Sequence, residues 1–233
     1  MKLSILVPVY NEERTVARLL DRVLEVDLPA EREVIVVDDA STDSTPEVLE
    51  RYRDRVRLLR HPANRGKGAA LRTALAEATG DYVIPQDADL EYEPADIARL
   101  LERAQRTGAR IVYGSRRLQR DNRQYSAFTF YLGGILVTWI GNLLFRLRLT
   151  DEPTCYKLVD RALIRRMDLQ CERFEFCAEV TAKAARMGVE IVEIPVLYRP
   201  RHMGEGKKIR AKDGWETIRT FFRYLRWNPR NTK

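Results

Sequence analysis

The segment PQDADLEYEP, residues 85 to 94, carries three alternating carboxylates, Asp87, Asp89 and Glu91, directly after the short apolar run DYVI. Carboxylates at the end of a strand can converge on one divalent cation, because Mg²⁺ and Mn²⁺ prefer oxygen ligands. A D-x-D pattern alone is weak, and an acidic turn before a helix near Pro94 explains the same residues. The position of the segment among other polar strand ends favours a metal site.

A second pair of carboxylates, Asp38 and Asp39, ends the apolar run REVIVV. In α/β folds that bind nucleotides, a carboxylate at this place reaches the base or the ribose. The alternative is that the pair caps the following helix, which we expect to begin at Ser44 or Thr45 with Pro46 in its first turn. Because STDST already supplies several capping oxygens, we favour a ligand role for at least one of the two aspartates.

Glycines and cations meet in the segment NRGKGAAL, which lacks the G-x-x-x-x-G-K-[ST] spacing of a Walker phosphate loop. Gly66 and Gly68 allow the backbone at a helix start to approach a ligand closely. Arg65 and Lys67 can attract anionic groups to the same place. A tight turn with solvated basic side chains is the alternative interpretation.

Two further basic regions are candidates for binding phosphate. Arg116 and Arg117 follow the apolar run IVYGS, where a guanidinium would meet a phosphate in a bidentate pair, or else form a surface salt bridge. The other region contains two glycines and suits closure over a phosphorylated substrate, although solvated charge explains it as well. It consists of Arg199, Arg201, Lys207, Lys208, Arg210 and Lys212.

These polar segments follow apolar runs that alternate with amphipathic helical patterns over the first 118 residues. Continuous apolar strands alternating with helices predict an α/β fold with a mostly parallel sheet covered on both faces. Ligands bind such sheets at the carboxyl ends of the strands. We therefore predict that the clusters YNE, DDAST, NRGKG, QDADLE and GSRR lie at one edge of the sheet, and that Gly108 ends the helix before the fifth strand.

Beyond residue 125 the pattern changes to an apolar stretch, the segment LTDEPTCYKLVDRALIRRM, a helix, the strand VEIVEIPVLYRP and a last helix. The stretch 127–145 carries no charge over about the length of a bilayer span. Its glycines and the RLRL that bounds it suit a helix lying in a membrane interface, which we rank first. A buried core helix ranks second, and a membrane-spanning helix third.

Composition limits the class of protein. The 233 residues are enough for one α/β domain with an appendage, and the sequence contains no linker and no repeat of fixed period. A formal charge of +7 indicates phosphate-bearing partners such as nucleotides or anionic lipid. Three cysteines without metal-type spacing and a start that is not a signal peptide predict a cytosolic location. His61 and His202 stand alone, so we expect neither a catalytic triad nor a zinc site.

Six segments, in this order and spacing, resemble glycosyltransferase family 2, and most of all its dolichol- or polyprenol-phosphate mannose synthase branch. They are SILVPVYNE, VIVVDDASTDST, NRGKGAALRTAL, GDYVIPQDADLEY, IVYGSRR and LTDEPTCYKL. The resemblance covers nearly the whole chain. It implies the GT-A fold, a single catalytic domain and inverting transfer of a sugar.

The resemblance also implies roles for individual residues. Asp89 would be the main ligand of a Mg²⁺ or Mn²⁺ ion, Asp87 would lie near this ion and the donor diphosphate, and Glu91 takes the place where relatives often carry glutamine. Arg116 would face a donor or acceptor phosphate. The pocket for the base and ribose of the nucleotide would be lined by Pro8, Tyr10, Glu12 and Asp39, with Lys67 close to the donor.

The function implied is metal-dependent transfer of a hexose, mannose or glucose, from a GDP- or UDP-linked donor to a polyprenyl or dolichyl phosphate. The protein would lie peripherally on the inner face of a membrane. Residues 1–118 would bind the nucleotide sugar and residues 119–233 the acceptor, with interfacial helices near 127–145 and 214–227. DEPTCYKL differs from the D-P-T-S-G-F type of better known mannose synthases, which leaves the sugar and the acceptor open.

Two alternatives differ from this hypothesis. The acceptor of a family 2 enzyme can be a hydroxyl group of a cell-envelope glycan, which would require a general base, and Glu175 and Glu179 are the best candidates for that base. Helix-surface carboxylates are the other interpretation of these two residues. A non-catalytic nucleotide-binding module is the second alternative. Nucleic acid is not expected as a partner, because acidic clusters occupy the predicted site edge.

Overall fold

The computed structural model describes residues 1–119, 122, 128–201 and 211–229. Within these residues seven strands form one sheet in the order β3-β2-β1-β4-β6-β5-β7. The alternation of apolar runs and amphipathic helices in the sequence accounts for its first five strands. The strands are β1 (Lys2–Val9), β2 (Glu31–Asp38), β3 (Arg57–Arg60), β4 (Tyr82–Pro85), β5 (Ile111–Ser115), β6 (Lys157–Asp160) and β7 (Val192–Pro195).

Helices lie on both faces of the sheet, and Gly108 adopts the left-handed conformation that ends α4, with φ of 66°. The predicted helix stop at this glycine is therefore confirmed. The helices are α1 (Val16–Glu25), α2 (Thr45–Glu50), α3 (Lys67–Glu77), α4 (Ala95–Thr107), α5 (Phe128–Phe145), α6 (Arg161–Arg166), α7 (Phe176–Arg186) and α8 (Ala211–Tyr224).

The directions of the strands place the predicted polar clusters at one edge. β1 pairs in parallel with β2 and β4, β2 with β3, and β5 with β7, whereas β6 runs antiparallel between β4 and β5. Strands β1 to β5 and β7 therefore point the same way, and their carboxyl ends share one edge. The prediction of a mostly parallel sheet is confirmed.

Strand β6 was not predicted, because a buried charge interrupts its apolar pattern. Lys157 is 1% exposed, and its Nζ lies 3.5 Å from the centroid of the Tyr113 ring. The same ammonium donates to the Glu152 carbonyl at 2.7 Å and to Thr181 Oγ1 at 3.3 Å. These contacts replace the water that a lysine normally keeps, so the KLVD segment pairs as a central strand.

The hydrophobic core has two parts, one on each face of the sheet, because successive side chains of a strand point to opposite faces. On β1, Leu3, Ile5 and Val7 pack into one cluster with α1 and α4, while Leu6 packs into the other with α3 and α7. All four residues are at most 1% exposed. Burial on both faces fixes the register of β1 and so fixes where its carboxyl end lies.

The N-cap residue of α2 is Ser44, one of the two expected, and Pro46 lies in the first turn. The Ser44 side chain makes no capping hydrogen bond, whereas the Asp43 carboxylate accepts from the Thr45 N–H at 3.0 Å. The Thr45 hydroxyl accepts from the Glu12 N–H at 2.9 Å. A residue predicted to cap a helix therefore ties two strand-end loops together.

Helix α5 has one packed side and one exposed side. Gly141 packs against Phe221 of α8, and Val137 and Thr138 are buried. The other side carries exposed apolar side chains, which together with two of α8 we call the α5/α8 face. Because these side chains are exposed, the interpretation of α5 as a buried core helix is wrong. No helix within the described ranges is long and apolar enough to cross a membrane. The α5/α8 face consists of Leu132, Ile135, Leu136, Trp139 and Leu143 of α5 and Trp215 and Phe222 of α8, which are 38–64% exposed.

Glu33 at the opposite edge of the sheet gives a testable dependence of stability on pH. Its carboxylate accepts from the N–H groups of Thr79 and Gly80 at 2.6 and 3.0 Å and pairs with Lys2 at 2.8 Å. Partial burial alone raises the pKa of Glu33, but these bonds and one from Ser4 lower it from 4.5 to about 2. The stabilisation is therefore complete above pH 4.5 and is lost as the pH falls towards 2.

We expect Glu33→Gln to lower the free energy of unfolding at pH 7 by about 1–2 kcal/mol. Urea denaturation of both proteins between pH 2 and 7 measures this, and the difference should shrink below about pH 4.5. Glu31→Gln, at an exposed position on the same strand, is the control and should have little effect. A difference that stays constant with pH would contradict the assignment.

Candidate functional site

A cavity of about 840 Å³ opens at the edge where the parallel strands end. Strand-end loops form one side of it, and parts of α5, α7 and α8 form the other. The structure therefore brings together the nine residues to which the resemblance assigned a role, while the roles themselves stay predictions. These residues are Pro8, Tyr10, Glu12, Asp39, Lys67, Asp87, Asp89, Glu91 and Arg116.

The loops after β1 and β2 are fixed to each other by hydrogen bonds. Asn11 adopts a positive φ of 49°, and its N–H donates to Ser41 Oγ at 2.9 Å. The Asn11 side-chain carbonyl accepts from the Thr42 N–H at 2.8 Å. This mutual bonding leaves Tyr10 and Glu12 along the cavity.

Asp39 is a positioning residue for the glycine-containing loop before α3. Its carboxylate accepts from the N–H groups of Arg65 and Gly66 at 2.9 and 2.7 Å. His61 Nδ1 lies 2.7 Å from the same carboxylate, and its Nε2 lies 2.9 Å from Thr73 Oγ1. The prediction that His61 stands alone is therefore wrong. Asp38 is buried, accepts from the Ser41 N–H at 2.9 Å and does not line the cavity.

Gly66 is required where the loop enters α3. Its φ is 96°, and a Cβ atom at this position would lie 2.4 Å from the carbonyl oxygen of Glu172. A side chain would therefore be strained and would also collide with backbone. The next residue, Lys67, lines the cavity.

Lys67 supplies a fixed positive charge beside the acidic segment. Its Nζ lies 2.5 Å from Asp87 Oδ1 and 3.5 Å from Cys155 Sγ. Burial alone would lower the pKa of Lys67, but Asp87 raises it well above its usual value. Lys67 is therefore charged at any physiological pH and forms an ion pair with Asp87.

Asp89 lies in a field of like charge. Its Oδ1 accepts from the Glu91 N–H at 3.1 Å, and its side chain is 17% exposed. Burial and the neighbouring Asp87 and Glu91 raise the pKa of Asp89 to about 7, against the opposing effect of Arg201. A cation beside this carboxylate would relieve the repulsion, so the chemistry of Asp87 and Asp89 fits Mg²⁺ or Mn²⁺.

Glu91 holds a segment of chain rather than joining the other two carboxylates. It accepts from the Tyr198 hydroxyl at 2.6 Å and from the Arg201 N–H at 2.9 Å, and its carbonyl accepts from the Arg199 N–H at 2.8 Å. Within the described part of the chain, no three His, Cys, Asp or Glu residues are grouped to hold a metal. The predicted cluster of Asp87, Asp89 and Glu91 is therefore not assembled here, because Glu91 is already bonded to residues 198–201.

Arg201 lies among carboxylates, although the sequence grouped it with a basic loop that closes over phosphate. Its Nη1 and Nη2 donate to Glu12 at 3.0 and 3.1 Å, and Nη2 lies 3.3 Å from Asp89. The side chains of Arg199 and Lys212 are exposed. The remaining residues of the predicted basic loop, Lys207, Lys208 and Arg210, and also His202, lie outside the described residues.

Arg116 and Arg117 differ in how their charges are matched. Arg116 forms a bidentate pair with the fully buried Asp151, with both N–O distances 2.7 Å. Arg117 donates to the Thr150 carbonyl at 2.9 Å and stacks over Tyr131, and it makes no ion pair with any residue that the structure describes. Arg117 therefore has the less compensated charge at the cavity.

The two carboxylates predicted as candidate general bases serve the backbone instead. Glu179 is completely buried and accepts from the N–H groups of Gln170 and Cys171 at 2.8 and 2.7 Å, and from Lys183 at 2.5 Å. Glu175 accepts from the N–H groups of Glu172 and Arg173. Neither residue lines the cavity, so the structure does not support a role for them as a base.

The side of the cavity opposite the strand ends comes from residues that the sequence did not single out. Their signals in the sequence were the uncharged stretch 127–145 and the helix predicted near 214–227, which placed two helices near the acceptor. Neither signal covers the residues around the start of α7. They include Thr129, Tyr131, Gly134 and Val137 of α5, Arg173, Phe174 and Phe176 around the start of α7, and Asp213, Gly214 and Thr217 of α8.

Comparison with known sequences gives a consistent class of relatives. The model of glycosyl transferase family 2 matches residues 4–171. A dolichol-phosphate mannosyltransferase of Pyrococcus furiosus is 28% identical over 97% of this chain and 64% of its own length. An undecaprenyl-phosphate 4-deoxy-4-formamido-L-arabinose transferase of Photorhabdus laumondii is 32% identical over 88% of this chain and 62% of its own. The chain thus spans less than two thirds of the length of these two relatives.

A third relative matches over most of its length. The undecaprenyl-phosphate mannosyltransferase of Micrococcus luteus is 30% identical over 89% of this chain and 87% of its own. Among solved structures, the glucosyl-3-phosphoglycerate synthase of Mycobacterium tuberculosis in complex with Mn²⁺, UDP-glucose and phosphoglyceric acid has a TM-score of 0.71. It is 21% identical and covers 96% of this chain and 79% of that protein. This likeness shows a common fold.

Proposed function

Because the chain belongs to glycosyl transferase family 2, we propose that it transfers a hexose from a nucleotide sugar to a polyprenyl phosphate. The membership confirms the resemblance found in the sequence, and the likeness to solved structures confirms the predicted GT-A fold. The proposed donor is GDP- or UDP-linked mannose or glucose. The named relatives include mannosyltransferases of dolichol phosphate and of undecaprenyl phosphate.

The observation that carries the proposal is that two chemically different groups of residues line the same cavity. At the strand ends lie the acidic residues Asp87 and Asp89 with the cation Lys67. At the other end Arg117 lies beside the largely apolar helix α5. The first end suits a nucleotide diphosphate with a metal, and the second suits a phosphate attached to a hydrocarbon chain.

At the donor end, Asp87 and Asp89 would hold Mg²⁺ or Mn²⁺, which supplies positive charge to the diphosphate leaving group. Lys67 adds a fixed positive charge at the same place, since Asp87 keeps its ammonium protonated. Asp39 holds the loop that ends at Gly66, so the backbone at the start of α3 keeps its position beside the donor. These charges favour the transition state, in which the negative charge on the diphosphate grows.

At the acceptor end, we assign the lipid phosphate to Arg117. Arg116 is less suited, because Asp151 already accepts from its side chain in two bonds. A phosphate held at Arg117 would attack the anomeric carbon from the face opposite the diphosphate, which inverts the configuration. The attacking oxygen is already anionic and needs no general base, in agreement with the structural roles of Glu175 and Glu179.

We also propose that the α5/α8 face rests on a membrane, on its inner side. The donor would bind to residues 1–118, and the acceptor to residues 119–233 together with Arg117. Exposed apolar surface of this size is unusual on a soluble protein and marks a site of contact. Residues of α5 such as Tyr131 and Gly134 line the cavity, while Trp139 and Leu143 on the same helix face outward. A polyprenyl chain can therefore pass from the lipid to the cavity along one helix.

The membrane contact is tested by Trp139→Glu combined with Leu143→Glu. These side chains are 60% and 63% exposed, so the substitutions should not unfold the protein. We expect sedimentation with vesicles containing anionic lipid to fall at least about tenfold, because burial of two large apolar side chains is replaced by two negative charges. Gln105→Glu with Thr107→Glu on α4 adds the same charge elsewhere and serves as the control. Equal binding of both double variants would contradict the proposal.

The donor site is tested by thermal stabilisation with GDP, UDP and their mannose and glucose conjugates, each with and without Mn²⁺. A ligand that binds only the native state raises apparent stability by about 2.7 kcal/mol at 100 times its Kd. We expect one of the two nucleotides to give a shift that requires Mn²⁺. No shift with any of them would reject the donor site for GDP- and UDP-linked sugars. A shift without any transfer of sugar would favour the module without catalysis.

A further inference from the structure

Arg201 occupies the centre of the acidic end of the cavity. Its guanidinium donates to both carboxylate oxygens of Glu12, at 3.0 and 3.1 Å, and lies 3.3 Å from Asp89. Its Nε lies 3.9 Å from Glu91. One positive side chain thus contacts or faces three carboxylates, including the one that we assign as the main metal ligand.

Arg201 and Arg116 differ in how the Nε atom of the guanidinium is used. Arg201 Nε is buried and has no hydrogen-bond partner among the residues that the structure describes, whereas Arg116 uses Nε and Nη2 together in its pair with Asp151. A buried N–H without a partner costs free energy. Arg201 is therefore held mainly by the attraction between opposite charges. Another cation can take its place beside the carboxylates, and another anion can take their place beside Arg201, at a smaller cost in free energy.

The backbone that carries Arg201 is anchored without its side chain. The Tyr198 hydroxyl and the Arg201 N–H both donate to the Glu91 carboxylate. The Leu197 N–H donates to Asp96 at 2.6 Å. These bonds fix the point from which the guanidinium extends, so it can leave the carboxylates by rotation of its own side chain.

From these contacts we infer that Arg201 is an internal cation that competes with the divalent metal ion for Asp89, an inference that rests on the metal site of the proposed function. The guanidinium and a divalent ion repel each other at this distance, so both cannot contact Asp89 without a large cost. The diphosphate of the donor supplies the anion that Arg201 needs once it leaves Glu12 and Asp89. Metal ion and nucleotide therefore bind together rather than separately.

The test is the affinity of the protein for Mn²⁺ alone, measured by electron paramagnetic resonance or calorimetry without nucleotide. Arg201→Gln should bind Mn²⁺ at least about tenfold more tightly than the wild type, because a repelling charge is removed. Arg201→Lys keeps the charge and should resemble the wild type. Arg199→Gln, an exposed neighbour that does not line the cavity, removes the same charge and should leave the affinity unchanged. With saturating UDP or GDP, whichever binds, the advantage of Arg201→Gln should disappear or reverse.

The outcomes separate the inference from the proposed function. Mn²⁺ binding with nucleotide, but an equal or weaker affinity of Arg201→Gln for Mn²⁺ alone, would overturn the inference and keep the metal site. No Mn²⁺ binding in any protein, even with nucleotide, would overturn both. Circular dichroism of each variant confirms that a change in affinity does not come from unfolding. Arg201→Met, which also removes the charge, provides the second variant if Arg201→Gln does not fold.

Discussion

Replacing Asp89 by alanine should lower the rate of sugar transfer at least about 10³-fold while the protein stays folded. Asp89 is the carboxylate that we assign as the main ligand of the metal ion, so its loss removes the charge that stabilises the leaving diphosphate. The fold should tolerate the change, since burial, Asp87 and Glu91 already raise the pKa of Asp89 to about 7. Removal of the Asp89 carboxylate relieves its repulsion with Asp87 and Glu91, and it also deletes the ion pair with Arg201.

Initial rates at saturating donor and Mn²⁺, together with thermal unfolding, measure both parts of this prediction. Asp54→Ala, at an exposed position away from the cavity, is the matched control and should keep the wild-type rate. Retained transfer by folded Asp89→Ala protein would remove the metal assignment. A loss of transfer that accompanies unfolding would mean instead that Asp89 supports the fold.

The second large effect concerns stability. Asp151→Ala should lower the free energy of unfolding by about 3 kcal/mol, because it leaves the half-buried Arg116 guanidinium without its carboxylate partner. Asp151 is fully buried and accepts from the backbone N–H of Arg116 at 2.9 Å as well as from its guanidinium. Burial alone would raise the pKa of Asp151. The charge and hydrogen bonds of Arg116 outweigh this effect and hold the pKa below its usual value. This stabilisation is present at neutral pH and declines as the pH falls below the usual range for aspartate.

Urea denaturation at pH 7 and pH 4 tests the Asp151 prediction. Glu50→Ala breaks the exposed pair of Glu50 with Arg53 on the protein surface and should leave stability nearly unchanged. If Asp151→Ala and Glu50→Ala proved equally mild, the pair of Arg116 with Asp151 would not be the main support of the loop after β5. Arg116 would then be free to bind phosphate, as the sequence predicted.

The sequence was sufficient for most of the fold because the first half obeys local rules. Apolar runs such as SILVPV and EVIVV are long enough to be buried on both faces, and amphipathic helices separate them. Parallel strands then bring their carboxyl ends to one edge whatever their order, so the polar residues after each run meet there. The order β3-β2-β1-β4-β6-β5-β7 was not predicted, because it depends on packing between distant elements.

The parts that were wrong depend on contacts between residues far apart in the chain. His61 looks isolated in sequence, yet Asp39 and Thr73 flank it once β2, β3 and α3 pack together. Glu179 has the spacing of a helix-surface residue, but it is buried against the backbone at Gln170. Nothing local distinguishes a carboxylate that binds a metal from one that binds backbone, and only the fold decides between them.

The same limit applies to the candidate site. The alternation of Asp87, Asp89 and Glu91 predicted three carboxylates around one ion, whereas Glu91 bonds to Tyr198 and Arg201. The basic character of residues 199–212 was visible in sequence, but the pairing of Arg201 with Glu12 joins positions 189 residues apart. At the acidic end of the cavity, Lys67 therefore already pairs with Asp87, and Arg201 with Glu12 and Asp89.

The most direct test of the proposed function is transfer itself. Purified protein would be incubated with a polyprenyl phosphate, Mn²⁺ and each of GDP-mannose, GDP-glucose, UDP-mannose and UDP-glucose, and the lipid analysed by mass spectrometry. We expect a hexosyl phosphate lipid from at least one donor, and we expect it to be absent when a chelator is added or when Asp89→Ala replaces the wild type. No glycolipid from any of the four donors, although one of the nucleotides binds with Mn²⁺, would contradict a polyprenyl phosphate as the acceptor.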